Sequence, residues 1–158
     1  VTLPPAIVRL RAAVENDRTA FDRLLARLAR AEPSRPWAEE APELYLVALT
    51  LEHYYTAAET VFERIARAFE GPPAPSPRWH QELLEGMTLE MSGIRPAVLR
   101  PETAVELREL LGFRHFLRHA YAVALRPGRL GELADLLRAV HRRLAEDLDA
   151  FDAHLASV

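Results

Sequence analysis

The sequence predicts an all-α fold, an up-and-down bundle of about five helices forming one domain over residues 1–158. Three observations predict it. Apolar residues recur three and four apart through long stretches of the chain. Segments rich in proline and glycine interrupt those stretches: PSRPW (33–37), GPPAPSP (71–77), SGIRPAVLRP (92–101) and RPG (126–128). Nowhere does the polar–apolar alternation of a half-buried strand appear between turns.

Each element follows from that pattern. An opening helix is expected over about residues 5–31, with Ile7, Leu10, Val14, Phe21, Leu24, Leu25 and Leu28 on one face. A second, long helix is expected over about 41–70, where Pro42 falls in the first turn and its missing N–H costs nothing. Tyr54, Tyr55 and Phe62 of that helix belong to the core or to an interface. A short third helix is expected over 79–91, with Trp79 as a packing anchor and His80 satisfied by a backbone group. After an irregular connector, the fourth helix is expected over 102–125 and the fifth over 129–155.

Composition narrows the chemistry. The chain has no cysteine, which removes disulfides and thiolate nucleophiles. No apolar run approaches membrane-spanning length, and VTLPPAIVRLRA lacks the basic start and apolar block of a signal peptide. A cytoplasmic protein without a membrane partner is the expectation. The net charge of −3 argues against a uniformly basic nucleic-acid coat. Charge is nonetheless uneven: residues 100–143 carry nine Arg against five Asp or Glu, a local balance of +4 that leaves −7 elsewhere. Every cationic side chain is arginine, so each can grip a phosphate with a planar fork. Phosphate-loop, dinucleotide-fold, nucleophile-elbow and zinc-finger spacings are all missing, and no cofactor is expected.

The densest chemistry lies in FRHFLRHAY (113–121). On a straight helix turning about 100° per residue, with Arg114 at zero, Arg118 falls near 40°, His115 near 100°, His119 near 140° and Tyr121 near 340°. The five share one arc, and Phe113, Phe116, Leu117, Ala120 and Val123 occupy the opposite, core-facing one. No acid lies between Glu109 and Glu132, so the exposed stripe is a cationic patch without local counter-ions, suited to an anion or a partner surface. His115 and His119 have the spacing of a two-histidine metal pair, but Arg114 and Arg118 repel a cation and no third ligand is evident, so no metal is expected. Glu52, Glu59 and Glu63 share a face of the second helix and are expected to form ion pairs, such as Glu63 with Arg67, rather than a reactive carboxylate pair. Nothing singles out His53, His141 or His154.

Arg114, four residues, His119, one residue and Tyr121 match the Arg-x4-His-x-Tyr motif of HEPN-domain proteins. With YLVALTLEHYYTAAETVFERIA (45–66), WHQELL (79–84) and IRPAVL (94–99) preceding it in order, the chain resembles the HepT-like ribonuclease toxins over roughly residues 43–150. The resemblance implies a toxin neutralised by a minimal nucleotidyltransferase antitoxin, a homodimer able to join a larger hetero-oligomer, and metal-independent cleavage of RNA, with no DNA substrate. It also implies that the antitoxin attaches AMP to the motif tyrosine, here Tyr121. Many relatives carry an acid shortly after that tyrosine, whereas Ala122, Val123, Ala124 and Leu125 follow it here.

On that resemblance Arg114 and His119 are the expected catalytic residues, with His115, Arg118 and Tyr121 binding or orienting phosphate. A separation of about 140° prevents one copy from aiming Arg114 and His119 at a single phosphate, so two copies across a twofold axis are expected to complete the site. His119 of each copy would serve as base and acid, since an imidazole ordinarily titrates near pH 6.5, and Arg114 would stabilise the pentacoordinate phosphorane. The alternative is a non-catalytic helical subunit that binds a nucleotide or a nucleotidyltransferase partner.

Overall fold

The computed structural model describes residues 2–120 and 124–158. They form α1 (Pro5–Ala29), α2 (Pro42–Glu70), α3 (Trp79–Met87), α4 (Pro101–His119) and α5 (Pro127–Ala156), with a 3₁₀ turn at Glu32–Ser34 after α1. The all-α reading therefore holds. Four of the five helices open on a proline at the first helical position. There its fixed φ is already helical and its missing N–H would have had no intrahelical partner. This places the start of α5 at Pro127, two residues ahead of the expected Arg129. Gly71, at φ +79°, ends α2 in a conformation that a side chain would strain.

The central helix is α2, which packs against α1, α3, α4 and α5. Its Val47, Leu51, Tyr54, Tyr55, Ala58, Val61, Phe62 and Ile65 are wholly inaccessible, as expected for the two tyrosines and the phenylalanine. Around it α1 buries Leu10, Val14, Phe21 and Leu28, with Ile7, Leu24 and Leu25 at the margin. On the far side α5 contributes a row of leucines together with Val140 and Phe151. Burying each such side chain is worth roughly 1.5–3 kcal/mol. Within this core the Tyr54 hydroxyl lies 2.9 Å from His141 Nδ1, and Phe21 packs on Tyr54 with ring centroids 4.9 Å apart. Burial pushes the Tyr54 phenol up and the His141 imidazole down, which favours the neutral form of each.

Two helices are shorter than their sequence suggests. The third was expected to reach Met91 but ends at Met87, because the connector takes its terminal carbonyls. The Val98 and Leu99 amides donate to the Met87 carbonyl at 2.8 and 3.0 Å. The buried Arg95 guanidinium donates to the carbonyls of Gly86, Leu89 and Pro96 at 3.1 Å each, and to Glu70 Oε2 at 2.9 Å. The Gly86 and Met87 carbonyls are among the orphan acceptors that a helix end leaves behind. The fourth helix was expected to run to residue 125 but ends at His119, with Ala120 in an extended conformation. Phe116, Arg118 and His119 are exposed, so the last turn of α4 has little core to hold a continuation.

The start of α4 is fastened from α5. Asp147 accepts the backbone amide of Arg100 at 3.1 Å and its Nε at 2.5 Å, capping the helix from across the bundle. Arg143 pairs with Glu106 one turn further along.

Candidate functional site

The motif helix does not sit as the local window suggests. Arg114 is not on an exposed stripe: it is 3% accessible and faces α2. The phase of the whole helix explains this. Thr103, Leu107, Leu110 and Leu111, four of the six buried positions before it, fall within about 60° of Arg114 at about 100° per residue, with Ala104 and Phe113 at the two edges of the stripe. The core stripe therefore continues straight through the arginine. Phe116, assigned to the core from the short window, is 49% exposed instead. Leu117 and Ala120 are partly buried, and Val123 lies outside the described residues.

What receives Arg114 is a polar cluster from two helices, α2 and α3. Its Nη2 lies 3.1 and 3.4 Å from the two carboxylate oxygens of Glu59, itself 6% exposed, and Nη1 donates to Thr56 Oγ1 at 3.1 Å. The guanidinium carbon stands 4.9 Å from the centroid of the Tyr55 ring, a cation–π contact. Glu59 and Tyr55 come from α2. From the first turn of α3, His80 Nδ1 approaches Glu59 Oε2 at 2.7 Å and Arg114 Nη2 at 3.0 Å. One nitrogen cannot serve both neighbours: protonated, Nδ1 donates to Glu59; bare, it accepts from Arg114. His80 is thus held by a carboxylate rather than by the expected backbone group, and the half-buried Trp79 stacks on it with centroids 3.7 Å apart.

The remaining motif residues are at the surface. His115, Arg118 and His119 are exposed in the last turn of α4. The charge of Arg118 suits the negative end of the helix dipole, whose unpaired carbonyls can accept from the imidazole N–H groups. The rings of His115 and His119 stack at 4.2 Å. His119 Nδ1 lies 2.8 Å from the His115 carbonyl oxygen, which can only accept. The proton of the neutral imidazole is therefore on Nδ1, and Nε2 carries the lone pair, with no hydrogen-bond partner among the described residues. Arg118 Nε donates to Glu52 Oε1 at 2.7 Å. The patch has counter-ions after all, but they come from α2 rather than from its own helix.

Glu52, Glu59 and Glu63 accordingly form an ion-paired face, with Arg118, Arg114 and Arg67 as partners. The first two pairs cross to α4, a link that a single helix's sequence does not reveal. Sequence reasoning missed Glu59 and His80 as members of the cluster. The available signal for Glu59 was its position among the apolar residues of α2, between Ala58 and Val61–Phe62, where a lone carboxylate needs a cation. Tyr121, the expected site of modification, lies outside the described residues.

Beside this cluster, α4 shows an apolar outer side. Val105 is 62% exposed, and Phe116 lines a groove of about 920 Å³ with Gly112, Phe113, Leu130 and Arg129.

No curated protein and no solved structure matches the chain. A family model described as HepT-like protein matches residues 46–155, from the first turns of α2 to the end of α5, leaving α1 outside. Spanning the motif helix and the helices that cradle Arg114, that match shows that the chain belongs to the HepT-like family.

Proposed function

We propose that the protein is an endoribonuclease, the toxin of a toxin–antitoxin pair, working at a site completed by two copies of the chain. The observation that carries this reading is the exposed His119, whose Nδ1 is committed to the His115 carbonyl and whose Nε2 bears the lone pair. An imidazole so oriented can take the proton of a ribose 2′-hydroxyl. The oxygen then attacks the adjacent phosphorus, and a second, protonated imidazole gives a proton to the departing 5′-oxygen. The exposed apolar side of α4, with Phe116 next to the motif, supports a second copy there, which would supply the second His119. Arg118 and His115, exposed on the same turn, bind and neutralise the phosphate. Arg114, expected to touch the phosphorane, is buried against Glu59, so its part is to position: it fixes the last turn of α4 on α2 and α3.

The partner is a nucleotidyltransferase antitoxin. Attachment of AMP to Tyr121 would add charge and bulk two residues after His119 and close the site to RNA.

Incubation of the protein with total RNA in EDTA, followed by mapping of fragment ends, tests the reading. Fragments with 2′,3′-cyclic phosphate and 5′-hydroxyl ends are expected, with cleavage slowed by about 10²–10⁴-fold in His119→Ala. Equal cleavage by parent and variant would overturn it. One observation favours a second reading, a non-catalytic subunit of a nucleotidyltransferase: the motif arginine is neutralised and occluded within the protomer. Growth arrest on expression, relieved by the nucleotidyltransferase, separates the toxin from that subunit, which would be harmless.

A further inference from the structure

We infer that α1 and α2 enclose a second, non-catalytic RNA-binding groove, in which Arg23, Arg27 and Arg30 hold the phosphodiester backbone of a strand that continues to the motif cluster. It draws on the reading above only for the identity of the polyanion.

The groove, about 490 Å³, runs between residues 20–30 of α1 and 53–60 of α2. Besides the three arginines it is lined by His53, Thr56 and Thr60, with Ala20, Leu24 and Ala57 as its apolar floor, and by no carboxylate. That is unusual for this chain, in which thirteen of the twenty arginines lie within 4.0 Å of an acid. Among the described residues seven do not, and Arg23, Arg27 and Arg30 are three of them. Arg27 is half-buried. Its Nε donates to Thr50 Oγ1 at 2.8 Å and its Nη2 to His53 Nδ1 at 3.0 Å, both neutral acceptors. Burial, with the like charge of Arg30 adding to it, pulls this guanidinium below its ordinary range. Three cations on one face, with no acid to offset them, repel one another until an anion arrives.

The ligand class follows from spacing and position. Residues 23, 27 and 30 are one helical face, spread over about 10 Å of axis at 1.5 Å per residue. Long, flexible arginine side chains on such a row can reach the phosphates of about two or three consecutive nucleotides. Because guanidinium donates only, His53 Nδ1 must accept from Arg27, which leaves its ring proton on Nε2 as a further donor. The groove also abuts the site: Thr56 lines it and accepts Arg114 at 3.1 Å, and Glu52, one turn earlier on α2, holds Arg118. A strand in the groove would thus lead to the exposed histidines. The arginines lie before the residues that the family model matches, whereas His53, Thr56 and Thr60 lie within them.

The test uses a 2′-O-methylated twelve-nucleotide RNA, which cannot be cut by 2′-hydroxyl attack, with binding read by fluorescence anisotropy between 0.05 and 0.3 M salt. Arg23 and Arg30 are exposed, so Arg23→Ala/Arg30→Ala should fold as the parent does. Each lost phosphate contact should flatten the slope of log K against log salt by about 0.7. For two contacts that is about 1.4, or roughly 25-fold weaker binding at 0.1 M salt. Arg9→Ala/Arg142→Ala removes the same charge from exposed positions outside the groove and should leave the slope unchanged. Arg27→Gln should weaken binding further. An unchanged slope in the groove variant, an equal loss in the control pair, or a parent protein that binds no RNA would each overturn the inference. RNA bound through these arginines but never cut would keep the groove and end the nuclease reading. RNA that is cut, with the groove variant binding as the parent does, would do the reverse.

Discussion

The ion pair between Arg114 and Glu59 is the contact on which the end of the motif helix depends, and a double-mutant cycle measures it. Both groups are almost wholly buried, and removing one partner of such a pair typically costs about 3–5 kcal/mol because the other charge is left without compensation. The two sides are not equivalent. Glu59→Leu strands a guanidinium whose remaining partners are Thr56 and the Tyr55 ring, with His80 as a neutral acceptor. Its cost should lie in the full range, about 3–5 kcal/mol. Arg114→Met leaves Glu59 still 2.7 Å from His80 Nδ1, a donor when protonated, so about 2–3 kcal/mol is expected. Glu59→Leu/Arg114→Met removes both charges and keeps apolar volume, which is often nearly neutral. The double variant should therefore recover at least about 2 kcal/mol relative to the sum of the singles. Urea unfolding at fixed protein concentration reads all four corners. Additivity within about 0.5 kcal/mol, or a cost below about 1 kcal/mol for Glu59→Leu, would refute the buried pair. The same double variant then reports on chemistry: if it is stable and cuts RNA within about tenfold of the parent, Arg114 positions; if cleavage vanishes at full stability, the guanidinium itself reaches the phosphate.

Other outcomes follow from the same geometry. Phe116→Asp changes a half-exposed side chain, so the fold should survive, but a two-copy assembly should fall to single chains in sedimentation velocity. An unaltered sedimentation coefficient would remove the shared site. Arg95→Ala deletes four hydrogen bonds of a buried guanidinium, and a loss of about 3 kcal/mol or more is expected, seen as a Tm lowered by about 6–12 °C. A drop of only one or two degrees would show that the connector holds without it. Burial depresses His141 below its ordinary 6.5, with Arg18 adding to the effect and Asp22 opposing it. The unfolded chain then binds the extra proton first, so stability is intact above about pH 6.5 and declines as the pH falls below it, towards the folded value. His141→Gln should show a shallower fall in Tm between pH 7.5 and 5; an identical fall would exclude His141 as its source.

Much of the fold was legible because the chain punctuates itself. GPPAPSP and RPG could only be breaks, and the run from Leu44 to Ile65 could only be a helix buried on most sides. The site was legible as a sequence cluster but not as geometry. FRHFLRHAY, taken alone, sets its phase by Phe116 and Leu117, while the preceding Leu107, Leu110 and Leu111 set the phase the core uses, and they put Arg114 inside. Pairing across helices was not legible at all. Glu59 and His80 are 21 residues apart with a proline loop between them, and no periodicity links positions so separated. The end of α4 at His119 was hidden for a related reason: the residues that follow have respectable helix propensity, while Phe116, Arg118 and His119, exposed in the last turn, give the helix little core to continue along.

The attachment of α4 is lopsided, and this matters for how the protein would respond to damage. At one end Asp147 and Arg143 of α5 grip Arg100 and Glu106 in a row of contacts. At the other, the turn bearing the imidazoles is tethered by one buried carboxylate, Glu59, that two neighbours share, and by the exposed pair of Arg118 with Glu52. Loss of Asp147 would loosen the entire helix. Loss of Glu59 would spare the first turns and set free only the last, leaving a chain that is still folded but whose His119 no longer has a fixed address.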